Sequence, residues 1–119
     1  LQKIFIMLPK KLIIYNIENI IFACERIITV TKKMPFEVFE VNEDAQDIVL
    51  MNFIKIGECA NRILEELDSN ISNLLRPAVA MRHKIAHGYD VLDTLRIFES
   101  ATENVPQLTI KLKKYISKQ

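Results

Sequence analysis

Arg82, His83, Lys84, His87 and Tyr89 crowd into the run MRHKIAHGYD at positions 81–90, which holds both histidines of the chain and one of its two glycines. These side chains suit phosphate chemistry. The Arg guanidinium is a planar fork of donors matched to phosphate oxygens, and His gives or takes a proton near neutral pH. Together they supply what RNA cleavage without a metal requires. A His acting as base or acid assists attack of the ribose 2′-OH on the adjoining phosphate, while Arg offsets the charge that grows on the phosphoryl oxygens. The need for a 2′-OH would restrict such chemistry to RNA.

Spacing complicates this reading. Arg82 and His87 are five residues apart, so on a regular helix they point about 140° away from each other. One straight helix does not aim both at one small ligand. Two copies related by a two-fold axis do, because each then lends a different face to a shared groove; a helix that ends at His87 would also free its side chain to swing. The residues alone leave plainer readings open. His83 and His87 have the H-x-x-x-H spacing of a zinc pair, but no Glu follows His83 as H-E-x-x-H requires, so no metal is expected. Arg82 and Lys84 also suit a solvated face, His87 a helix C-terminus that favours positive charge, and Tyr89 the edge of a core.

The elements that must hold this run are helical. Residues 10–32 carry Leu12, Ile13, Ile17, Ile20, Ile21, Cys24, Ile27 and Ile28 at three-and-four spacing, the pattern of a wide buried stripe. Ile14, Tyr15 and Phe22 widen it further, which predicts packing on several sides, a second subunit included. Pro35 stops the pattern. A second helix is expected over 43–68, with Glu43, Asp44 and Asp47 in its first turn, where the helix dipole favours acids. Gly57 in its middle costs about 1 kcal/mol relative to Ala and predicts close approach of another backbone. A third helix is expected to begin near Pro77 and end at Gly88. A fourth, capped by Asp93 or Thr94, runs to about Tyr115 with a kink at Pro106. The expectation is an all-α, up-and-down bundle of four or five helices forming a single domain over 1–119.

Composition narrows the classes. The chain has 119 residues, half of them hydrophobic, and a net charge of +1, which suits one compact core and argues against generic nucleic-acid binding. The charge is uneven: residues 37–68 hold nine acids against Lys55 and Arg62, and the segments on either side are basic. Opposed solvated faces explain this; a groove in which a basic segment meets a polyanion is the sharper reading. Cys24 and Cys59 form no C-x-x-C pair and read as reduced core residues. Glu18, Glu25 and Arg26 interrupt the apolar stretch of the first helix, so no membrane span is expected. Lys3, Lys10 and Lys11 break the apolar start, so no signal peptide is expected and a cytoplasmic location fits.

Resemblance adds to the residues. "RHKIAHGY" resembles the R-x4-H-x-Y form of the HEPN superfamily found in HepT-like toxins, with Arg82, His87 and Tyr89 at its fixed positions. "FIKIGECANRILEEL" resembles that family's second long helix with its Gly-Glu pair, Gly57 and Glu58, and "ENVPQLTIKLKKYI" its closing helix. The likeness covers nearly all of residues 10–117. Two departures stand out: His83 occupies a position that is commonly Asn, and Leu75 stands where the family often has Trp. The resemblance implies a HEPN-like homodimer with a shared cleft and a metal-independent endoribonuclease that needs no cofactor. Arg82 and His87 would be catalytic, with His83 as a supporting polar group and Glu58 orienting His87 or Arg82. It further implies a toxin whose cognate nucleotidyltransferase antitoxin attaches AMP to Tyr89, with higher hetero-oligomers of the two. The competing expectations are a non-catalytic module that binds a nucleotide or a partner enzyme, and a helper that only dimerises.

Overall fold

The computed structural model describes residues 8–88 and 92–119. Within them the chain is helical and contains no strand. The first helix, α1 (Lys10–Thr31), is followed by a single turn, α2 (Phe36–Phe39), and then α3 (Glu43–Ile63), which tightens into a 3-10 turn over Leu64–Glu66. Next comes α4 (Ser69–His87). The last stretch is continuous: α5 (Thr94–Glu99), a π-helical turn (Ser100–Asn104) and α6 (Val105–Ser117). The all-α bundle read from periodicity is the observed fold.

Packing places α1 between α3 and α6, and α3 between α1 and α4. The core lies along this line, with Ile17, Ile20, Ile27, Ile56, Ile63, Leu75 and Leu112 fully buried. Lys113 Nζ, 3.0 Å from Glu25, joins α6 to α1 at the surface. Tyr15 (58 % exposed) and Phe22 (62 %), which widen the apolar stripe in sequence, face outward from α1 in the single chain.

Local chemistry explains where the elements start. Asn42 caps α3 by accepting from the Ala45 N–H at 3.0 Å. The Asp93 carboxylate does the same for α5, accepting from the N–H groups of Leu95 and Arg96. Each cap satisfies donors that the first helical turn leaves free.

Two boundaries differ from the sequence reading. The helix expected to begin near Pro77 begins at Ser69, because Asp68 accepts from the N–H groups of Asn70 and Ile71 and starts it eight residues earlier. Pro77 therefore sits inside α4, where it removes the N–H that would reach the Asn73 carbonyl. The same cap moves the end of α3 forward, since the chain must turn before Asp68. At Pro106, in the first turn of α6, the chain stays helical, and a π turn over Ser100–Asn104 joins α5 to α6 just ahead of it.

The segment after Pro35 holds a further element that periodicity does not reveal, because one turn is too short to show a period. Its Phe39 is fully buried and lies 5.1 Å from the Phe98 ring. Gln46 donates to the carbonyls of Phe39 and Glu40 and fixes the end of that turn. Phe39→Ala should cost about 3–5 kcal/mol of folding stability. Urea unfolding followed by circular dichroism measures it, and an unchanged midpoint would mean that α2 is not anchored by this ring.

Candidate active site

Helix α4 carries Arg82, His83 and His87, and its contact with α3 decides how they are presented. Gly88 ends the helix, its N–H bonding to the Lys84 carbonyl at 2.7 Å, with a φ of −136° rather than a left-handed one. His87 is thus the last helical residue. Tyr89, two positions on, lies outside the described residues.

Arg82 faces α3. A Cβ built on Gly57 would stand 2.3 Å from the Arg82 Cβ and 2.9 Å from the Ala78 carbonyl oxygen, so the helices touch at the mid-helix glycine, as its cost in the sequence suggested. From there the side chain runs along α3, and its Nη2 reaches 3.9 Å from Glu58 Oε1. That is beyond hydrogen-bond range, so the pair is a loose ion pair between two part-exposed groups. Arg82 Nε is buried and meets no hydrogen-bond partner among the described residues. The inner edge of the guanidinium is therefore against protein, and its Nη ends face the opening beside Glu58.

His83 and His87 lie on the other side of α4 and are exposed. Their rings sit one turn apart with centroids 4.6 Å from each other and planes tilted by 54°. The structure thus brings Arg82 to Glu58 and His83 to His87, and no hydrogen bond or ion pair among the described residues links the two pairs. Glu58 sits beside Arg82, one of the two partners expected for it.

Among the described residues no three His, Cys, Asp or Glu side chains group as a metal would need. Burial pushes the Cys24 thiol up to about 11 and also raises Cys59, so neither is a thiolate at neutral pH. No described helix is long and apolar enough to cross a membrane. A groove of 310 Å³ opens between α4 and α6, floored by Phe53, Ile56 and Leu108, but it does not take in Arg82, His83 or His87. The titratable cluster is a surface feature of one copy.

The sequence marked Gly57 as a close approach and Arg82 as a site residue without connecting them.

Comparison with known proteins gives this geometry a family. Two proteins of Methanocaldococcus jannaschii, named "Putative RNase MJ0125" and "Putative RNase MJ1216", are each 26% identical over 110 residues, covering 92% of this chain and 95% and 91% of their own lengths. No solved structure gives a significant match. The family model for HepT-like ribonucleases matches residues 20–115, which include α3, α4 and every site residue named above, and the chain belongs to that family.

Proposed function

We propose that this protein is a metal-independent endoribonuclease acting as the toxin of a toxin–antitoxin pair, with a site shared between two copies of the chain. One observation carries the shared site: Arg82 lies against α3 beside Glu58, whereas His87 is exposed on the other side of the same helix. The anion-binding group and the proton-transfer group of one chain face different ways. A two-fold axis perpendicular to α4, passing near Lys84 and Ile85, would run the two copies of the helix antiparallel and set the Arg82 of one opposite the His87 of the other.

In that cleft the Nη groups of Arg82 hold the scissile phosphate through charge-assisted hydrogen bonds. His87 removes the proton of the 2′-OH or supplies one to the departing 5′-oxygen. Attack by the 2′-oxygen breaks the P–O5′ bond and leaves a 2′,3′-cyclic phosphate and a free 5′-OH. His83, its ring tilted against that of His87, limits the orientations open to it, and Glu58 holds the Arg82 fork between turnovers. The nucleotidyltransferase antitoxin silences the cleft by placing AMP on Tyr89.

The test is cleavage of a labelled RNA by the unmodified protein in EDTA. Cleavage that yields 2′,3′-cyclic ends supports the reading. No cleavage by a folded protein whose Tyr89 carries no adduct would overturn it in favour of a non-catalytic binding module.

A further inference from the structure

Resting on that reading, we infer that Gly57 is a positioning residue for the site: by letting α4 lie directly on α3, it sets where the Arg82 guanidinium stands. Three atoms define the contact. The nearest to a Cβ at position 57 are Arg82 Cβ at 2.3 Å, the Ala78 carbonyl oxygen at 2.9 Å and Arg82 Cγ at 3.0 Å. Two of the three belong to Arg82, and the two closest are a Cβ and a backbone oxygen, neither of which moves without its helix. Rotating the Arg82 side chain leaves its own Cβ in place and does not relieve the overlap.

Any side chain at 57 must therefore displace α4. An ordinary contact begins at 3.4 Å, so the Cβ of Arg82 has to retreat by more than 1 Å. The guanidinium is carried with it, away from Glu58 and out of the bed that covers Nε. Misplacement of a catalytic group by about 1 Å is enough to lower turnover about 10²-fold. His87, five residues on and on another face, touches nothing at position 57. The overlap is therefore met directly by the Arg82 stem and reaches His87 only through the helix that carries both. Within α3 alone a glycine only weakens the helix, so its use at this position is explained by what packs on it.

The experiment is Gly57→Ala, with RNA turnover, subunit mass and melting temperature measured beside the parent. Turnover about 10²-fold lower, with the assembly intact, is the expected result. A readout that a merely structural role would not move comes from RNA binding in a His87→Ala background, where nothing is cleaved. Gly57→Ala and Arg82→Ala should each weaken binding, and together no more than Arg82→Ala alone, because one acts through the other. Losses that add, or parent-like turnover in Gly57→Ala, overturn the inference and leave the ribonuclease reading standing. Parent-like turnover in Arg82→Ala instead overturns the assignment of Arg82, and this inference with it. If Gly57→Ala does not fold, Gly57→Ala/Arg82→Gly decides the matter by circular dichroism. A fold regained in the double variant identifies the Arg82 stem as what position 57 accommodates. A double variant that stays unfolded means that Gly57 serves the Ala78 backbone alone, which overturns the proposal.

Discussion

Arg82→Ala and His87→Ala should each lower RNA cleavage by about 10²–10⁴-fold, and an equal mixture of the two inactive proteins should recover part of the activity. The single losses follow from chemistry. Without His87 the group placed to move the 2′-OH proton is gone, and without Arg82 so is the fork that offsets the charge growing on the phosphate. The recovery follows from geometry. If each catalytic pair takes its arginine from one copy and its histidine from the other, a mixed dimer keeps one intact pair, while every unmixed dimer keeps none. Random exchange makes half of the dimers mixed, so about a quarter of the parent rate is expected. The mixture must first exchange subunits, which native mass spectrometry of differently labelled variants follows directly. Exchange without recovery would sink the arrangement in which the pair is divided between copies. Full activity in either single variant would remove that residue from the chemistry.

Why such a division would be needed is visible in α4 itself. The outer part of a helix that packs on one neighbour is free over most of its turn. Here the packed part is set by Gly57, Ala78 and Arg82, and it fixes the arginine while leaving His83 and His87 in solvent. A helix of nineteen residues cannot rotate to reconcile the two without lifting Ile71, Leu75 and Ile85 out of the core. The burial of three large apolar side chains, about 1.5–3 kcal/mol each, outweighs the loose Arg82–Glu58 pair. Core packing thus dictates the orientation of the site residues, and the site accommodates it.

The helical bundle and the site run are both legible in the amino-acid sequence. The apolar stripes of α1 and α3 are long enough for their period to stand out, and the bundle follows from them. The site run is legible because both histidines of the chain fall in it beside an arginine; the motif resemblance, rather than the spacing, assigns the roles. What escapes a reading of the sequence is decided by contacts or by single residues. Asp68 acts as a cap only because its carboxylate turns back onto two N–H groups, and a segment that reads equally well as an end gives no sign of that. Pro77 resembles a start because proline is common there; inside α4 its cost is absorbed by tertiary packing. α2 depends on Phe39 meeting Phe98, which is far away in sequence. The link from Gly57 to Arg82 is of the same kind, since no local pattern states which residue lies above a glycine.

The second large effect concerns Tyr89, which follows His87 by two residues. In the presence of the cognate nucleotidyltransferase and ATP the parent protein should stop cleaving RNA, and Tyr89→Phe should continue. The transfer is balanced: the phenolic oxygen attacks the α-phosphorus of ATP, the bond to the β-phosphate breaks, pyrophosphate leaves and the phenolic proton passes to solvent. What remains on the tyrosine is a phosphodiester bearing a negative charge and a nucleoside. So close in sequence to His87, the new phosphate is a tethered competitor for the Arg82 fork, and the nucleoside fills space that RNA would enter. Tethering raises its effective concentration to the millimolar range, well above that of any single RNA site. Phe lacks the accepting oxygen and keeps the ring, so it should cleave as the parent does before the partner is added. Intact-protein mass spectrometry on the same samples reports the adduct independently of activity. Silencing of Tyr89→Phe to the parent's extent, with no mass change in either protein, would mean that the partner inhibits by binding alone. Loss of cleavage in Tyr89→Phe before any partner is added would instead assign the hydroxyl a part in the reaction.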